Sequence, residues 1–357
     1  MKVWLTILLT LMLVSSGRAG SFRGFKKFKN RRNNHKDLRY ITTPGVAKKY
    51  QTLDWYQPKK NSGRGAIVYI HGGGWHTGDK KNHMDDKVRY FRDDLGYSFV
   101  SVNYRLIERH CRKRKGRKMD PCAFPDNVYD VAAAISYVLK NARKYGATGK
   151  SVSLIGHSAG AHLAALVSTD EKYLKKYGVR LSNINFVAPL DTDAFDIPKR
   201  EGDPKTIRNA FGRNRNVWKG ASPINHVKRG KTPPHFLVYR GTKGRMKNVE
   251  RYERKLRNMG RFVKKFYATQ YSHEQINKAI GNKRDKFVTP QLLEMLKKYN
   301  WHHKSNACKC KNIWSTGLGP HKFYGCGARI GVSYWCETKG KCEEEDKWNG
   351  MYWKWCR

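Results

Sequence analysis

The sequence predicts an α/β fold in which a doubly wound, mostly parallel sheet carries helices on both faces. Short apolar segments typical of strands alternate with helical segments from residue 51 to residue 299. Residues 66–70 and 152–155 are continuous apolar runs, as expected for strands buried on both faces of a parallel sheet. Each run leads directly into a glycine-rich motif. Such turns at the carboxyl ends of parallel strands are where sites of this fold class lie.

The 357 residues are enough for one large domain and an appendage. Residues 1–20 are predicted to be a signal peptide, because Lys2 precedes an apolar run that ends in small residues. That run is too short for a transmembrane helix, so we expect a secreted protein without a transmembrane anchor. Eight cysteines agree with an oxidising compartment. The predicted divisions are the signal peptide at 1–20, a basic arm at 21–40, the α/β domain at 41–300 and a Cys/Trp-rich module at 301–357.

The composition is strongly basic, with 73 Lys and Arg against 28 Asp and Glu and a net charge of +45. Such a charge attracts polyanions, and an acidic polysaccharide or an extracellular matrix is the predicted partner. Nucleic acid is disfavoured because no DNA- or RNA-binding motif accompanies the charge. Two alternatives stay open. For the net charge, the alternative is that it serves solubility alone. For the arm, the alternative to a polyanion-binding segment is a processed propeptide or a solvated leader.

The pentapeptide Gly-His-Ser-Ala-Gly at 156–160 lies between an apolar strand and a run of helix formers. Flanking glycines permit a turn so sharp that a side chain would collide with a neighbouring element. Ser158 at its apex would present its hydroxyl at the top of the sheet, and the N–H of Ala159 would face a developing oxyanion. An ordinary serine in a strand-to-helix turn could share this pattern, so the motif needs support from elsewhere.

That support comes from His-Gly-Gly-Gly-Trp at 71–75, which directly follows the strand at 66–70. Consecutive glycines expose backbone N–H groups, as a preformed oxyanion hole requires, and Gly73 and Gly74 are the candidate donors. A bare turn or a phosphate-binding loop would account for this motif alone. Neither accounts for the second glycine motif further along the chain.

The other elements follow in alternation. A basic excursion after the strand at 97–102 is bracketed by Cys111 and Cys122, which we predict to form a local disulfide. Residues 200–232 are polar and rich in arginine, which suits a lid over the site. The remaining predictions are a helix from 124 to 139, strands at 151–155, 183–190, 234–239 and 262–267, and helices at 249–259, 275–281 and 289–299.

The C-terminal module combines six cysteines with six tryptophans in 57 residues (301–357). A module with so small a core is expected to depend on disulfides, whose pairing the sequence does not give. Its C-x-C spacing is not a zinc pattern, and no metal or organic cofactor is predicted anywhere. The tryptophans are interpreted as the core of the module, with carbohydrate binding as the alternative. The cysteines are Cys308, Cys310, Cys326, Cys336, Cys342 and Cys356.

Together, HGGGW, GHSAG, the NYRL segment, Ala-Ser-Pro at 221–223 and a late histidine resemble the α/β-hydrolase fold. Within it, the chain resembles the esterase/lipase group that includes carboxylesterases, feruloyl-esterase-like and kynurenine formamidase-like enzymes. The resemblance covers roughly residues 41–300. It implies Ser158 as nucleophile, His273 as general base, and Gly73, Gly74 and Ala159 as oxyanion donors.

The expected catalytic acid is missing. The resemblance places an Asp in a G-x-x-D motif after the strand at 234–239, and this chain has Gly244 at that position. Asp191, at the end of the preceding strand, is the proposed replacement, although its type and place also suit a simple turn. Asp193 and Glu250 are less well placed.

The sequence therefore predicts a secreted serine hydrolase that cleaves carboxylic esters, either small molecules or esters linked to polysaccharide, through an acyl-enzyme on Ser158. The alternative is a weakly active or inactive hydrolase scaffold that binds polyanions or matrix through its basic surface. The enzyme is favoured because the chain keeps the serine turn, both oxyanion glycines and the late histidine. A protein that had lost its activity would be expected to lose the strained turn as readily as the catalytic acid.

Overall fold

The computed structural model describes residues 34–59, 63–107, 124–200 and 204–299, together with the backbone of six short strands after residue 312. Eight strands of the main body form one sheet. They are β1 (Asn34–Arg39), β2 (Thr52–Tyr56), β3 (Gly65–Ile70), β4 (Phe99–Val102), β5 (Thr148–His157), β6 (Ile184–Leu190), β7 (His235–Tyr239) and β8 (Val263–Tyr267).

The strand order is β1-β2-β4-β3-β5-β6-β7-β8. All neighbours from β4 to β8 are parallel, which confirms the predicted sheet. Only β1 and β2 are antiparallel to their neighbours, at one edge. The order reverses around β3 and β5, so the crevice expected for a ligand lies at the carboxyl ends of these central strands.

Strand β1 shortens the predicted basic arm. The arm was expected to extend to residue 40, but Asn34–Arg39 pairs with β2 at the sheet edge. The sequence NHKDLR carries only one apolar residue, so no apolar alternation marks it as a strand. It is held instead by backbone pairing and by polar contacts to the buried carboxylate of Asp54, from Lys36 Nζ (3.1 Å) and from the N–H of Asp37 (2.9 Å).

Helices cover both faces of the sheet, because successive side chains of the central strands point to opposite sides. Val68 and Ile70 pack in the cluster that contains α2 and α3, whereas Ile67 and Tyr69 pack in the cluster that contains α1, α8 and α9. The helices are α1 (Asp85–Val88), α2 (Asp126–Asn141), α3 (Ala159–Val167), α4 (Glu171–Lys175), α5 (Pro204–Phe211), α6 (Arg215–Gly220), α7 (Lys243–Asn258), α8 (His273–Ala279) and α9 (Val288–Tyr299).

Two helical regions differ from the sequence prediction. Helix α7 begins at Lys243 rather than at residue 249, because the side chain of Thr242 accepts a hydrogen bond from the N–H of Arg245 and caps the helix. The segment predicted as a polar lid contains α5 and α6. Phe211 at the end of α5 is buried and packs edge-on against Trp75, so this part of the segment is anchored to the core.

The C-terminal module contains one two-stranded and one four-stranded antiparallel sheet. Cys336 lies in one of its strands, whereas Cys111, Cys122 and the other cysteines of the module lie outside the described residues, so every predicted disulfide stays a prediction. No helix within the described ranges has the length and apolar character needed to cross a membrane. The strands are β9 (Ile313–Ser315), β10 (Lys322–Tyr324), β11 (Ala328–Ile330), β12 (Ser333–Glu337), β13 (Asp346–Trp348) and β14 (Met351–Trp355).

Candidate active site

The candidate site is assembled from residues that each follow the carboxyl end of a parallel strand. Ser158 comes directly after β5, Asp191 after β6 and Arg240 after β7. Backbone bonds extend the pairing of the strands into the site: the N–H of Ser158 donates to Leu190 O (2.9 Å) and the N–H of Asp191 to Val238 O (2.7 Å). Residues far apart in the sequence therefore meet at one edge of the sheet.

Ser158 occupies the strained turn that the GHSAG motif predicts. Its φ of 55° lies in the left-handed region, which non-glycine residues rarely adopt. The turn is possible because its flanks lack side chains. A Cβ on Gly156 would lie 2.3 Å from Gly160 O, and a Cβ on Gly160 would lie 2.2 Å from Ile70 O. The serine is partly exposed at the apex, and α3 begins at the next residue.

The HGGGW loop is equally constrained. Gly73 has a φ of 112°, and a Cβ there would lie 2.2 Å from Thr77 O. Thr77 closes the loop by donating its N–H (2.9 Å) and its hydroxyl (3.0 Å) to Gly73 O. No described backbone carbonyl accepts from the N–H of Gly73 or Gly74. Ala159 is the first residue of α3, so its N–H has no acceptor within the helix. These are the donors that an oxyanion hole needs.

His162 fixes the far side of this loop. The indole N–H of Trp75 donates to His162 Nδ1 (3.1 Å), so Nε2 carries the ring proton and donates to Ala221 O (2.8 Å). Complete burial lowers the pKa of His162 to about 4, and the ring is neutral at physiological pH. This one side chain ties the glycine loop, α3 and the turn after α6 together.

His273 lies against Asp191. It is the first residue of α8, whose N-terminus is capped by the side chain of Ser272. Its Nδ1 is 2.6 Å from Asp191 Oδ2, and the histidine side chain is 41% exposed whereas that of the aspartate is fully buried. A histidine with one ring nitrogen held by a carboxylate can accept a proton on the other.

Two arginines share the carboxylate of Asp191. Arg240 Nε donates to Oδ2 (2.8 Å) and Arg245 Nη2 donates to Oδ1 (3.0 Å). Burial would raise the pKa of Asp191, but the hydrogen bond and charge of His273 and the two guanidinium charges lower it below its usual value. The carboxylate is therefore ionised throughout the neutral range.

The other carboxylates considered from the sequence are placed differently. Asp193 is bound by Arg200 Nε (2.8 Å) and Arg245 Nη1 (3.2 Å) and makes no described contact with His273. Glu250 lies on α7, and none of its described contacts reaches His273 either. Gly244 is buried in the first turn of α7. Of the three candidate acids, Asp191 is therefore the one within hydrogen-bond distance of His273.

Sequence reasoning missed three contributors. His157 was assigned only to the glycine motif, yet its Nε2 lies 3.0 Å from His273 O and the two rings are 4.5 Å apart. Burial, followed by the charge of His273, lowers the pKa of His157 to about 3, so a neutral ring donates to that carbonyl. Arg240 and Arg245 were not considered. Arg240 directly follows strand β7 and Arg245 lies in the first turn of the helix after it, so the end of this strand is the signal that could have identified them.

A cleft lies between the segment after β6 and the end of α6. It has a volume of about 520 Å³ and is lined by residues such as Asp196, Lys199, Lys219 and His226. Ser158, Asp191 and His273 are not among its lining residues. We locate the chemistry from the strand ends and their hydrogen bonds, because a nucleophile and a base must first lie within mutual reach.

The family assignment follows from the sequence profile described as BD-FAE, which matches residues 53–254, more than half of the chain. The chain belongs to the BD-FAE family. Curated relatives include esterase LipQ of Mycobacterium tuberculosis, 26% identical over 199 residues, which are 52% of this chain and 44% of LipQ. Neutral cholesterol ester hydrolase 1 of Bos taurus is 33% identical over 112 residues, 30% of this chain and 24% of that protein. The chain thus spans less than half the length of these relatives.

Solved structures show the same fold. Esterase B of Lactobacillus rhamnosis superposes with a TM-score of 0.58 at 20% identity, covering 74% of this chain and 85% of that one. A truncated carbohydrate esterase from gut microbiota gives a TM-score of 0.56 at 18% identity, with 74% and 95% covered. The predicted α/β-hydrolase fold is confirmed. Within the described ranges, no cluster of three or more His, Cys, Asp or Glu side chains could hold a metal ion.

Proposed function

We propose that the protein is a carboxylic ester hydrolase that acts through an acyl-enzyme on Ser158. His273 serves as general base and Asp191 as the carboxylate that orients it. The observation that carries this proposal is the 2.6 Å contact between Asp191 Oδ2 and His273 Nδ1, made beside the strained serine turn. The esterase names of the relatives support the same reaction class.

In the proposed reaction, His273 Nε2 takes the proton of Ser158 Oγ as that oxygen attacks the ester carbonyl. The resulting oxyanion accepts hydrogen bonds from the N–H groups of Gly73, Gly74 and Ala159. Asp191 stabilises the imidazolium, which then protonates the leaving alcohol. Water, activated by the same histidine, hydrolyses the acyl-enzyme. Loss of a single oxyanion donor costs about 10²–10³ in rate in comparable enzymes, so the rigid glycine loop is central to this scheme.

A second candidate function is retained because of the arginines. Arg240 and Arg245 both form ion pairs with Asp191, and they compete with His273 for its negative charge. A carboxylate neutralised in this way stabilises an imidazolium less. A weakly active or inactive hydrolase scaffold that binds polyanions is the alternative that this observation favours.

Covalent labelling with a fluorophosphonate at neutral to alkaline pH separates the two candidates. We expect the wild-type protein to be labelled, Ser158→Ala to be unlabelled and Asp191→Asn to react far more slowly. Asp196→Asn is the matched control, since Asp196 is another buried aspartate after β6 and makes no described contact with His273. An unlabelled wild-type protein with native circular dichroism would leave the scaffold as the function.

We further propose that the protein is secreted and that its substrates are small esters or esters attached to an acidic polysaccharide. The support is the predicted signal peptide, the eight cysteines and the net charge of +45. Appearance of the tagged protein in culture medium, cleaved after residue 20, would test secretion. Heparin chromatography tests the polyanion partner: we expect elution only at high salt, and elution alongside a neutral control protein would contradict it.

A further inference from the structure

Arg240 uses only part of its guanidinium group. Its Nε donates to Asp191 Oδ2 (2.8 Å), and no described residue accepts a hydrogen bond from its two terminal nitrogens. The side chain is 32% exposed, in contrast to the fully buried carboxylate that it touches. Because Arg240 and His273 bind the same carboxylate oxygen, the guanidinium and the imidazole lie close together.

Arg245 differs from Arg240 because each of its three guanidinium nitrogens has a hydrogen-bond acceptor. Its Nε donates to Arg240 O, Nη1 to Asp193 and Nη2 to Asp191. Every nitrogen of that guanidinium has a partner within the described residues, so Arg245 holds the loops together. Arg240 is anchored by a single nitrogen instead, and its two terminal nitrogens keep their donors for another group.

The charges around the two arginines do not balance. Arg200, Arg240 and Arg245 contribute three positive charges, and Asp191 and Asp193 contribute two negative ones. Since Arg200 and Arg245 share Asp193, and Arg245 also binds Asp191, the surplus positive charge falls on the partly exposed Arg240. A planar guanidinium with two free terminal nitrogens matches the geometry of a carboxylate or sulfate.

We propose that Arg240 forms an anion subsite beside His273, which selects esters that carry a carboxylate or sulfate close to the scissile bond. The inference rests on the proposed esterase function and names its substrate class. The anion would replace solvent at the terminal nitrogens while Nε stays on Asp191. Charge-assisted hydrogen bonds of this kind are about twice as strong as neutral ones, so we expect about a tenfold preference for anionic over neutral substrates.

Two pairs of substrates of matched size test this subsite on either side of the ester bond. On the acyl side, the pair is 4-nitrophenyl pentanoate and mono-4-nitrophenyl glutarate. On the alcohol side, it is 4-acetoxybenzamide and 4-acetoxybenzoate. The quantity compared is the ratio of kcat/KM for the anionic member to kcat/KM for the neutral member, with spontaneous hydrolysis subtracted. Because Arg240 also touches Asp191, absolute rates report its positioning effect, whereas the ratio reports charge recognition.

We expect the wild-type enzyme to favour the anionic member of at least one pair about tenfold and Arg240→Gln to bring that ratio close to one. Lys243→Gln is the matched control, because it removes the same charge from the exposed first residue of α7. It should keep the wild-type ratio. A wild-type ratio near one in both pairs, or a preference that survives in Arg240→Gln, would overturn the proposal.

Equilibrium binding separates this inference from the proposed function. The affinity for 4-acetoxybenzoate is compared between Ser158→Ala and Ser158→Ala/Arg240→Gln. Both variants lack the proposed nucleophile, so binding is measured without hydrolysis of the ester. We expect about tenfold weaker binding in the double variant. Equal affinities would refute the subsite even if the enzyme is active, whereas a loss of affinity would support it even if the wild-type protein hydrolyses neither pair.

Discussion

Two of the buried aspartates that bind arginines, Asp130 and Asp191, have different surroundings and different expected roles. Asp130 on α2 and Asp191 after β6 are both inaccessible to solvent. Asp130 accepts a two-nitrogen fork from the buried Arg105, with Nε–Oδ2 at 2.7 Å and Nη2–Oδ1 at 2.9 Å, and a further bond from Gln51. Burial raises the pKa of Asp130 even though Arg105 opposes the shift.

Asp191 has partners of another kind. His273, Arg240 and Arg245 come from three different segments, and each of their side chains is partly exposed. These surrounding charges lower the pKa of Asp191 despite its burial. The Asp130 pair joins α2 to the segment after β4 and so stabilises the fold. The Asp191 cluster keeps an ionised carboxylate at the carboxyl ends of the strands, where its three partners remain partly exposed to solvent.

The largest expected effect separates these roles at Asp191. Asp191→Asn should lower kcat about 10⁴-fold, because the amide cannot stabilise an imidazolium and favours the wrong tautomer of His273. The free energy of unfolding should change far less than the rate, since the arginines it releases can be solvated. Steady-state hydrolysis of 4-nitrophenyl pentanoate and urea unfolding measure the two quantities. A loss of folding that matches the loss of rate would contradict the assigned role.

Arg105→Ala should show the opposite pattern. Removing one partner of a buried ion pair leaves Asp130 uncompensated, and we expect the free energy of unfolding to fall by about 3–5 kcal/mol. The kcat per folded molecule should stay close to that of the wild-type protein, since Arg105 makes no described contact with the candidate site. Urea unfolding and active-site titration with a fluorophosphonate check this. A selective loss of kcat in folded protein would mean that the two aspartates are coupled.

Lys87 differs from both aspartates, because it is a buried ionisable group whose hydrogen bonds go to uncharged carbonyl oxygens rather than to an oppositely charged side chain. Its ammonium donates to His83 O (2.9 Å) and Asn277 O (2.8 Å), and burial lowers its pKa to about 7. Between pH 7 and the ordinary lysine pKa near 10.5, the unfolded chain binds more protons than the folded one, so stability rises with pH.

We therefore expect the wild-type protein to gain about 2 kcal/mol of unfolding free energy relative to Lys87→Met between pH 7 and pH 9. Urea unfolding of both proteins at the two pH values gives this difference directly. Parallel pH dependence of the two proteins would show that Lys87 remains protonated in the fold. Lys255→Met on α7 serves as the control for the removal of a lysine that is not deeply buried.

The smallest effect is expected at Arg245, which is one of two arginines on Asp191. Arg245→Met should lower kcat/KM by about fivefold, because partly exposed ion pairs contribute roughly 1 kcal/mol and Arg240 remains in place. Arg254→Met, an exposed position on the same helix, is the control and should leave kcat/KM unchanged. If Arg245→Met lowered kcat/KM as much as Asp191→Asn does, the carboxylate of Asp191 would be positioned by Arg245 rather than by its place at the end of β6.

The sequence predicted the central sheet well because buried parallel strands are continuous apolar runs and glycine motifs mark their ends. Asp191 could be proposed as the catalytic acid in the same way, because a residue directly after a parallel strand lies at the carboxyl edge of the sheet, where the site is. Arg240, Arg245 and His157 were missed because their contacts join distant segments and depend on side-chain direction. Strand β1 was missed because a polar edge strand is held by its backbone, which leaves no apolar pattern to read.

The closely packed glycines of the two motifs and the partly exposed Arg240 should differ strongly in their tolerance of substitution. Gly73, Gly156 and Gly160 have no space even for a methyl group, because backbone atoms would lie 2.2–2.3 Å from it. Arg240, by contrast, has a side chain that is 32% exposed. A saturation library should therefore find the glycines invariant under selection for turnover, while position 240 accepts many residues with altered substrate preference. Substrate preference could then change at position 240 at a smaller cost in turnover than a change at the glycines would bring.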